Sequence, residues 1–188
     1  MSVREYLNNN SAVATIVAVA VLMIALGIMV LSGRGGGGGG GGQVFYYDLN
    51  TQTFSRQPQN SPSPLDLGNG TYKYFDGDLG SAVRATIFAC DEDLSVSDGM
   101  SLSELEAEGG KIIALYRFTP EAQARQVKVF NGQELTEQEL ANDTYDSSLL
   151  VSDFKGQTWL PESSEPAANL LGAASQMCGG ERAFYIAP

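Results

Sequence analysis

The apolar positions of the chain begin with an unbroken run close to its start. Residues 12–31 are twenty consecutive positions of which only Thr15 is polar. A helix of this length, rising about 1.5 Å per residue, crosses the hydrocarbon layer of a bilayer, which is about 30 Å thick. The run exceeds the apolar region of a cleaved signal peptide, about 7–15 residues. We therefore predict a retained transmembrane helix at residues 12–32, preceded by a short tail at residues 1–11.

Beyond this run, alternation of apolar and polar residues predicts strands. In Val83–Cys90, apolar residues occupy every second position, and Lys111–Phe118 is a second apolar strand. Hairpins are predicted from Val44–Asp48 with Gln52–Arg56, and from Leu149–Phe154 with Gln157–Leu160. Arg182–Ile186 is predicted as a closing strand. Alternation also predicts that about half of the aromatic residues in Phe45-Tyr46-Tyr47 and in Tyr72, Tyr74 and Phe75 belong to the core.

Capping residues predict short helices between the strands. Ser101 with Glu104, and Thr136 with Glu139, have the spacing of capping boxes. Thr119-Pro120-Glu121 starts a further helix, since Thr can cap it and Pro suits its first position. Ser164 caps a last helix, whose apolar stripe is Ala167, Leu170, Leu171, Ala174, Met177 and Cys178.

This order of elements predicts an α+β fold with a small mixed or antiparallel sheet and a few short helices. The eight glycines Gly35–Gly42 have no side chain to bury, so we predict a flexible poly-Gly tether at residues 33–43. Residues 44–188 are then an acidic domain, long enough for a core of its own.

Charge restricts the partners of this domain. From Gln43 onward the chain holds 9 of the 11 basic residues and 21 of the 22 acidic ones, a balance of −12. Nucleic-acid binding needs clustered Lys and Arg, so no nucleic acid is expected as a partner. The expected partners are the lipid bilayer, through residues 12–32, and other proteins of the cell envelope.

Candidate chemistry is sparse. The sequence contains no histidine, which excludes Ser-His-Asp and Cys-His catalysis. Ser152-Asp153-Phe154-Lys155 matches S-x-x-K, but a strand places its Ser and Lys on opposite faces. Asp91-Glu92-Asp93 and Asp98 are oxygen donors for calcium, yet the glycine and glutamate of a calcium loop are missing. We predict no catalytic residue, no metal ligand and no cofactor-binding residue.

The two cysteines, Cys90 and Cys178, allow three interpretations. Both are buried thiols, or they form a disulfide between a strand and the last helix, or they are a redox centre. The redox centre is the least favoured, because the chain has no C-x-x-C motif. If they pair, the domain faces an oxidising compartment.

The flanks of the apolar run determine orientation only weakly. Arg4 precedes the run and Arg34 follows it, so the numbers of basic residues on its two sides are nearly equal and the positive-inside rule gives little preference for either orientation. The short leading tail and the two cysteines favour an N-terminus inside and a C-terminal domain outside. The expected location is the inner (cytoplasmic) membrane, in a single pass, with the domain extracytoplasmic.

Four stretches, spread together with the N-terminal anchor along most of the length of the chain, carry a resemblance: VFYYDLNT, VRATIFAC, RFTPEAQA, and WLPESSEPAANLL followed by a cysteine. In these the chain resembles a family of single-pass, membrane-anchored planctomycete envelope proteins for which no activity is established. In such relatives a second cysteine often follows the strand that ends here at Cys90. This chain has Asp91-Glu92-Asp93 there, so the resemblance implies no shared metal or redox role.

Three functions are compatible with these features. The first is a membrane-anchored extracytoplasmic domain that binds or organises envelope components without catalysis. The second is an extracytoplasmic enzyme or ligand-binding domain that uses carboxylates or calcium. The third is a pilin-like subunit that assembles through its N-terminal helix, suggested by Glu5 but lacking a prepilin cleavage site. We favour the first.

Overall fold

The computed structural model describes residues 42–141, 148–179 and 181–188. The predicted tail at residues 1–11, the transmembrane helix at residues 12–32 and the linker up to residue 41 lie outside the described residues. Within the described ranges, no helix is both long enough and apolar enough to cross a bilayer. The fold of these ranges is α+β, with a mostly antiparallel sheet and a few short helices.

The described residues form nine strands. In chain order they are β1 (Gln43–Asp48), β2 (Phe54–Pro58), β3 (Thr71–Tyr74), β4 (Gly77–Gly80), β5 (Ala82–Ala89), β6 (Gly110–Phe118), β7 (Leu149–Ser152), β8 (Leu160–Pro161) and β9 (Phe184–Tyr185). Seven of them make the main sheet in the order β2-β1-β5-β6-β7-β8, and β9 pairs with β5. The strands β3 and β4 make a separate two-stranded sheet.

The predicted central strands, β5 and β6, are confirmed, and they pair along almost their whole length. The register shifts between Thr86, which faces Ala114, and Ile87, which faces Ile112, so Ile113 is an extra residue in β6. This bulge reverses the alternation of β6. As a result Ile112 and Leu115 both pack in the larger core, although three positions separate them.

Within the described residues, four short α-helices connect the strands: α1 (Leu102–Ala107), α2 (Pro120–Phe130), α3 (Glu137–Ala141) and α4 (Glu165–Gly172), which continues into a 3₁₀ turn at Ala173–Gln176. All four predicted caps are confirmed. Ser101 and Glu104 form a reciprocal capping box, and so do Thr136 and Glu139. The side chains of Thr119 and Ser164 accept hydrogen bonds from the backbone N–H groups of Ala122 and Ala167.

The main sheet has apolar side chains on both faces. One face carries the larger core, to which β1, β2, β5, β6 and α1 contribute, with Trp159 and Ile186 from the C-terminal third. The other face carries a smaller cluster of Ala114, Val151 and Ala167, against which Tyr116 packs. The helix α4 therefore covers only part of that second face.

Two expectations about strands are corrected by the structure. Phe45, Tyr46 and Tyr47 are all buried, so the prediction that half of them are core was wrong for this strand. The reason is that Phe45 and Tyr47 pack in the larger core, while Tyr46 on the other face is buried beside the loop after β2, where its hydroxyl donates to the carbonyl of Ser61. The second hairpin forms, but its partner strand is β8 at Leu160–Pro161, so seven residues connect the strands in place of a tight Lys155-Gly156 turn.

The β3–β4 hairpin was not predicted from the sequence. Its strands are only four residues each, and only Tyr74 and Gly80 in them are buried. A short strand with one inward side chain gives no clear alternation, which is why the sequence pattern missed it.

Candidate functional site

A groove of about 770 Å³ opens on the sheet face that carries the smaller cluster. Its floor is formed by side chains of the central strands, namely Tyr46 of β1, Arg84 and Thr86 of β5, and Tyr116 of β6. The groove is of the size that small-molecule sites have, about 300–1,000 Å³.

The loop between β2 and β3 forms one wall of this groove, with Gln59, Asn60, Ser61 and Ser63 among the lining residues. Ser63 fastens the loop to the sheet, since its hydroxyl donates to the carbonyl of Tyr116 at 2.7 Å and accepts from the N–H of Arg84 at 3.2 Å. The backbone N–H of Phe118 donates to the carbonyl of Ser63 at 2.8 Å. The loop is therefore held beside the ends of β5 and β6.

Other parts of the chain complete the rim. Gln126 projects from α2, Glu162 follows β8, and Tyr185 belongs to β9. These elements come from distant parts of the sequence, so the groove exists only in the folded domain.

Arg84 is the basic residue in the floor of the groove, and it is half-buried. Within the described ranges no carboxylate forms an ion pair with it. The neighbouring Tyr46 donates from its hydroxyl to the carbonyl of Ser61 at 2.8 Å. Burial raises the pKa of Tyr46 to about 12, against the opposing effect of the Arg84 charge, so this phenol stays neutral and remains a hydrogen-bond donor.

The groove can therefore bind an anionic group through Arg84 and pair with hydroxyl groups through its amide, hydroxyl and carboxylate side chains. Sequence analysis did not select Arg84. The alternation in VRATIFAC places Arg84 on the face opposite to the apolar residues of the strand. The sequence does not show that this face forms a groove, because the loop that makes its wall lies about twenty residues away.

The predicted disulfide between Cys90 and Cys178 is present in the structure. The Sγ–Sγ distance is 2.06 Å and the Cα–Cα distance is 5.6 Å. Cys90 directly follows β5 and is exposed, so the interpretation of both cysteines as buried thiols was wrong. The bond ties the chain after α4 to the end of a central strand.

The structure does not assemble the S-x-x-K motif. Ser152 lies in β7, is 1% exposed, and its hydroxyl has no hydrogen-bond partner within the described residues. Lys155 lies in the following turn, where its ammonium group is 5.8 Å from the centre of the Phe154 ring. No hydrogen bond joins Ser152 to Lys155, which is the contact that such a nucleophile requires.

The acidic candidates for a calcium site are engaged in other contacts. Asp98 accepts hydrogen bonds from the N–H of Arg56 at 2.8 Å and from its side chain at 3.2 Å. The Asp91 carboxylate accepts from the N–H of Asp93 at 3.0 Å. Across residues 42–141, 148–179 and 181–188, no three carboxylate or cysteine side chains group as metal ligands.

A buried ion pair on the opposite face of the sheet was missed by the sequence analysis. Arg117 is 0% exposed and donates to both carboxylate oxygens of Asp76, at 2.8 and 2.9 Å. Its guanidinium carbon lies 4.5 Å from the Tyr74 ring centre, 5.3 Å from that of Phe75 and 5.0 Å from that of Trp159. The sequence did contain a signal for the burial of Arg117, since it lies two residues from Leu115 and therefore on the same face of an apolar strand.

Asp48 forms a second buried polar site, at the turn after β1. Its carboxylate accepts from the N–H groups of Asn50 and Thr51, from the Asn69 amide at 2.8 Å and from the Ser81 hydroxyl at 3.0 Å. Burial opposes ionisation, but these hydrogen bonds outweigh it and lower the pKa of Asp48 below 3.8. The network joins three loops and is structural.

Comparison of the chain with protein-family models, curated proteins and solved structures gave no match.

Proposed function

We propose that the chain is a single-pass membrane protein whose extracytoplasmic domain binds envelope components through the groove on its sheet, without catalysing a reaction. The observation that carries the proposal is the disulfide between Cys90 and Cys178. Stable disulfides belong to oxidising compartments and are rare in the cytosol. An oxidised pair supports the placement of the domain outside the cytoplasmic membrane.

The rest of the topology follows from the sequence. Residues 12–32 serve as the anchor, with the tail at residues 1–11 inside. The glycine run predicted as a tether at residues 33–43 completes the proposed topology; its last residue, Gln43, is already part of β1, and the sequence predicts a root-mean-square span of about 15 Å for eight glycines. The resemblance to planctomycete envelope proteins agrees with this topology and stays a prediction.

The groove supports a binding role for the domain. It is lined by a guanidinium, a carboxylate, amides and hydroxyls, which are groups that recognise ligands through hydrogen bonds. The lining of the groove also bears on the second candidate function, an extracytoplasmic enzyme or ligand-binding domain that uses carboxylates or calcium. It favours ligand binding over calcium dependence.

The proposal is tested by topology mapping of the full chain in its native cells. We expect the protein to remain in the membrane fraction after an alkaline wash. Protease added outside the cytoplasmic membrane should degrade the domain from Gln43 onward. Mass spectrometry of denatured protein, alkylated at lysis without reduction, should find no free thiol at Cys90 or Cys178.

A chain lacking residues 12–31 is the matched control, and it should leave the membrane fraction. A chain truncated to residues 43–188 should be soluble and folded, because the buried core of the described residues extends from Phe45 to Ile186. Free thiols in freshly lysed cells, or protection of the domain from external protease, would refute the extracytoplasmic placement.

A further inference from the structure

Within the described residues, no ion pair neutralises the charge of Arg84. The ion pairs found there involve other basic side chains, Arg56 with Asp98, Arg117 with Asp76, and Lys128 with Glu139. Arg84 makes no such pair within the described residues, although the domain from Gln43 onward has 21 acidic residues against 9 basic ones. Arg84 as a residue is half-buried, and an anionic ligand in the groove would supply the charged partner that the described residues do not provide.

The second charged side chain that lines the groove, Glu162, disfavours a ligand with more than one negative charge. Glu162 lines the same groove as Arg84. A phosphate dianion or a polyanion would be attracted by the guanidinium of Arg84 but repelled by the carboxylate of Glu162 and by the net negative charge of the domain. A carboxylate matches the two-pronged geometry of a guanidinium and carries one charge.

The other lining groups are suited to hydroxyl groups. The side chains of Gln59 and Gln126 each offer two N–H donors and a carbonyl acceptor, and Glu162 offers acceptors. Tyr185 is 54% exposed at the rim, where its ring packs edge-to-face with that of Phe88 and its exposed part offers apolar surface to the C–H groups of a sugar ring. The volume of about 770 Å³ accommodates a ligand of one or two sugar rings.

From these three features, we propose that the groove binds an acidic sugar, with the carboxylate of a uronic acid on Arg84 and the sugar hydroxyls on Gln59, Gln126 and Glu162. This inference rests on the proposed binding role of the groove, and it is independent of which side of the membrane the domain occupies.

The test is isothermal titration of the full chain in detergent micelles with a disaccharide that carries one glucuronate. The matched ligand is the methyl ester of the same disaccharide, which keeps every hydroxyl and loses the charge. We expect the acid to bind and the ester to bind at least about tenfold more weakly, the loss expected for one charged hydrogen-bonded contact.

Variants then assign the contact to Arg84. Arg84→Gln should weaken binding of the acid about tenfold or more, with little change for the ester. Arg84→Lys should weaken it less, because the charge stays while the two-pronged geometry is lost. Lys73→Gln is the matched control, since it removes the same charge from an exposed position in β3 that does not line the groove. Thermal unfolding of each variant checks that the fold is kept.

Equal binding of the acid and its ester would overturn the proposal, and so would an unchanged affinity in Arg84→Gln. Binding of inorganic phosphate or of a free amino acid in preference to the glucuronate would overturn the ligand class. The absence of a heat of binding at millimolar ligand would also overturn the proposal. Because titration uses purified protein, these failures leave the proposed membrane topology to be judged by its own experiment.

Discussion

At the scale of single residues, Arg117 is the largest fully buried side chain among the described residues. It is fully buried in a central strand, stacked among three aromatic rings, and its charge is compensated by Asp76. Asp76 lies in the turn between β3 and β4. The ion pair therefore pins the small hairpin to the main sheet, and a charge buried in this way is costly when its partner is removed.

We expect Asp76→Ala to lower the free energy of unfolding by about 3 kcal/mol, because it leaves Arg117 buried without a counter-charge. The double variant Arg117→Met with Asp76→Asn should be less destabilised than Asp76→Ala alone, since no buried charge remains. Urea denaturation followed by tryptophan fluorescence measures both, because Trp159 packs against Arg117.

Asp78→Ala is the control for this prediction. It removes the same group from an exposed position of the same hairpin and should change stability by less than about 0.5 kcal/mol. Equal effects of the two aspartate substitutions would show that the ion pair does not hold the hairpin.

At the scale of elements, the position of β4 depends on a close backbone contact. A Cβ added at Gly80 would overlap the backbone of Leu65 and Asp66. The carbonyl of Gly80 also accepts a hydrogen bond from the Tyr74 hydroxyl at 2.9 Å. The hairpin and the loop that walls the groove therefore approach each other where only a glycine fits.

Gly80→Ala should destabilise the domain by about 2 kcal/mol, because backbone atoms must move to admit the methyl group. Gly172→Ala provides the comparison. It lies at the end of α4 with no atom within 4 Å of an added Cβ, so alanine should be neutral or stabilise by up to about 1 kcal/mol. Thermal unfolding ranks the two, and a Gly80 variant as stable as the wild type would contradict the tight approach.

At the scale of the whole molecule, the disulfide closes the domain. It links the end of β5 to the segment after the last helix, 88 residues further along the chain. The same segment contacts the sheet through the two-residue strand β9, through the buried side chain of Ile186, and through the hydrogen bond from Ile186 N–H to the carbonyl of Ile87 at 3.0 Å. We infer that the bond keeps β9, and with it the Tyr185 rim of the groove, on the sheet.

Replacing both Cys90 and Cys178 by Ala should lower the free energy of unfolding by up to about 4.6 kcal/mol, the chain-entropy value for a loop of this length, and more commonly by about 2–4. Hydrogen exchange should show the loss of protection concentrated in residues 173–188. Wild-type protein under reductant should approach the behaviour of the variant. A double variant as stable as the oxidised protein would contradict this role.

Several elements could be predicted from local sequence because the contacts that form them are local. Ser101 meets Glu104 within three residues, and Thr119 caps a helix through Ala122. The alternation of apolar and polar residues in VRATIFAC is likewise contained within a single strand, so it is recognised without knowledge of the neighbouring strands. The β8 strand and the β3–β4 hairpin were misplaced or missed, because a few residues define them and their partners lie elsewhere.

The sequence alone determined the α+β class, the helix starts, the two central strands and the acidic balance of the domain, since these follow from periodicity, capping and composition. The tertiary structure decided the bulge at Ile113, the burial of Arg117 and the groove around Arg84. The physical reason is distance along the chain. Ser63 reaches Tyr116 across 53 positions and Arg117 reaches Asp76 across 41, so these side chains acquire their surroundings only when the sheet assembles.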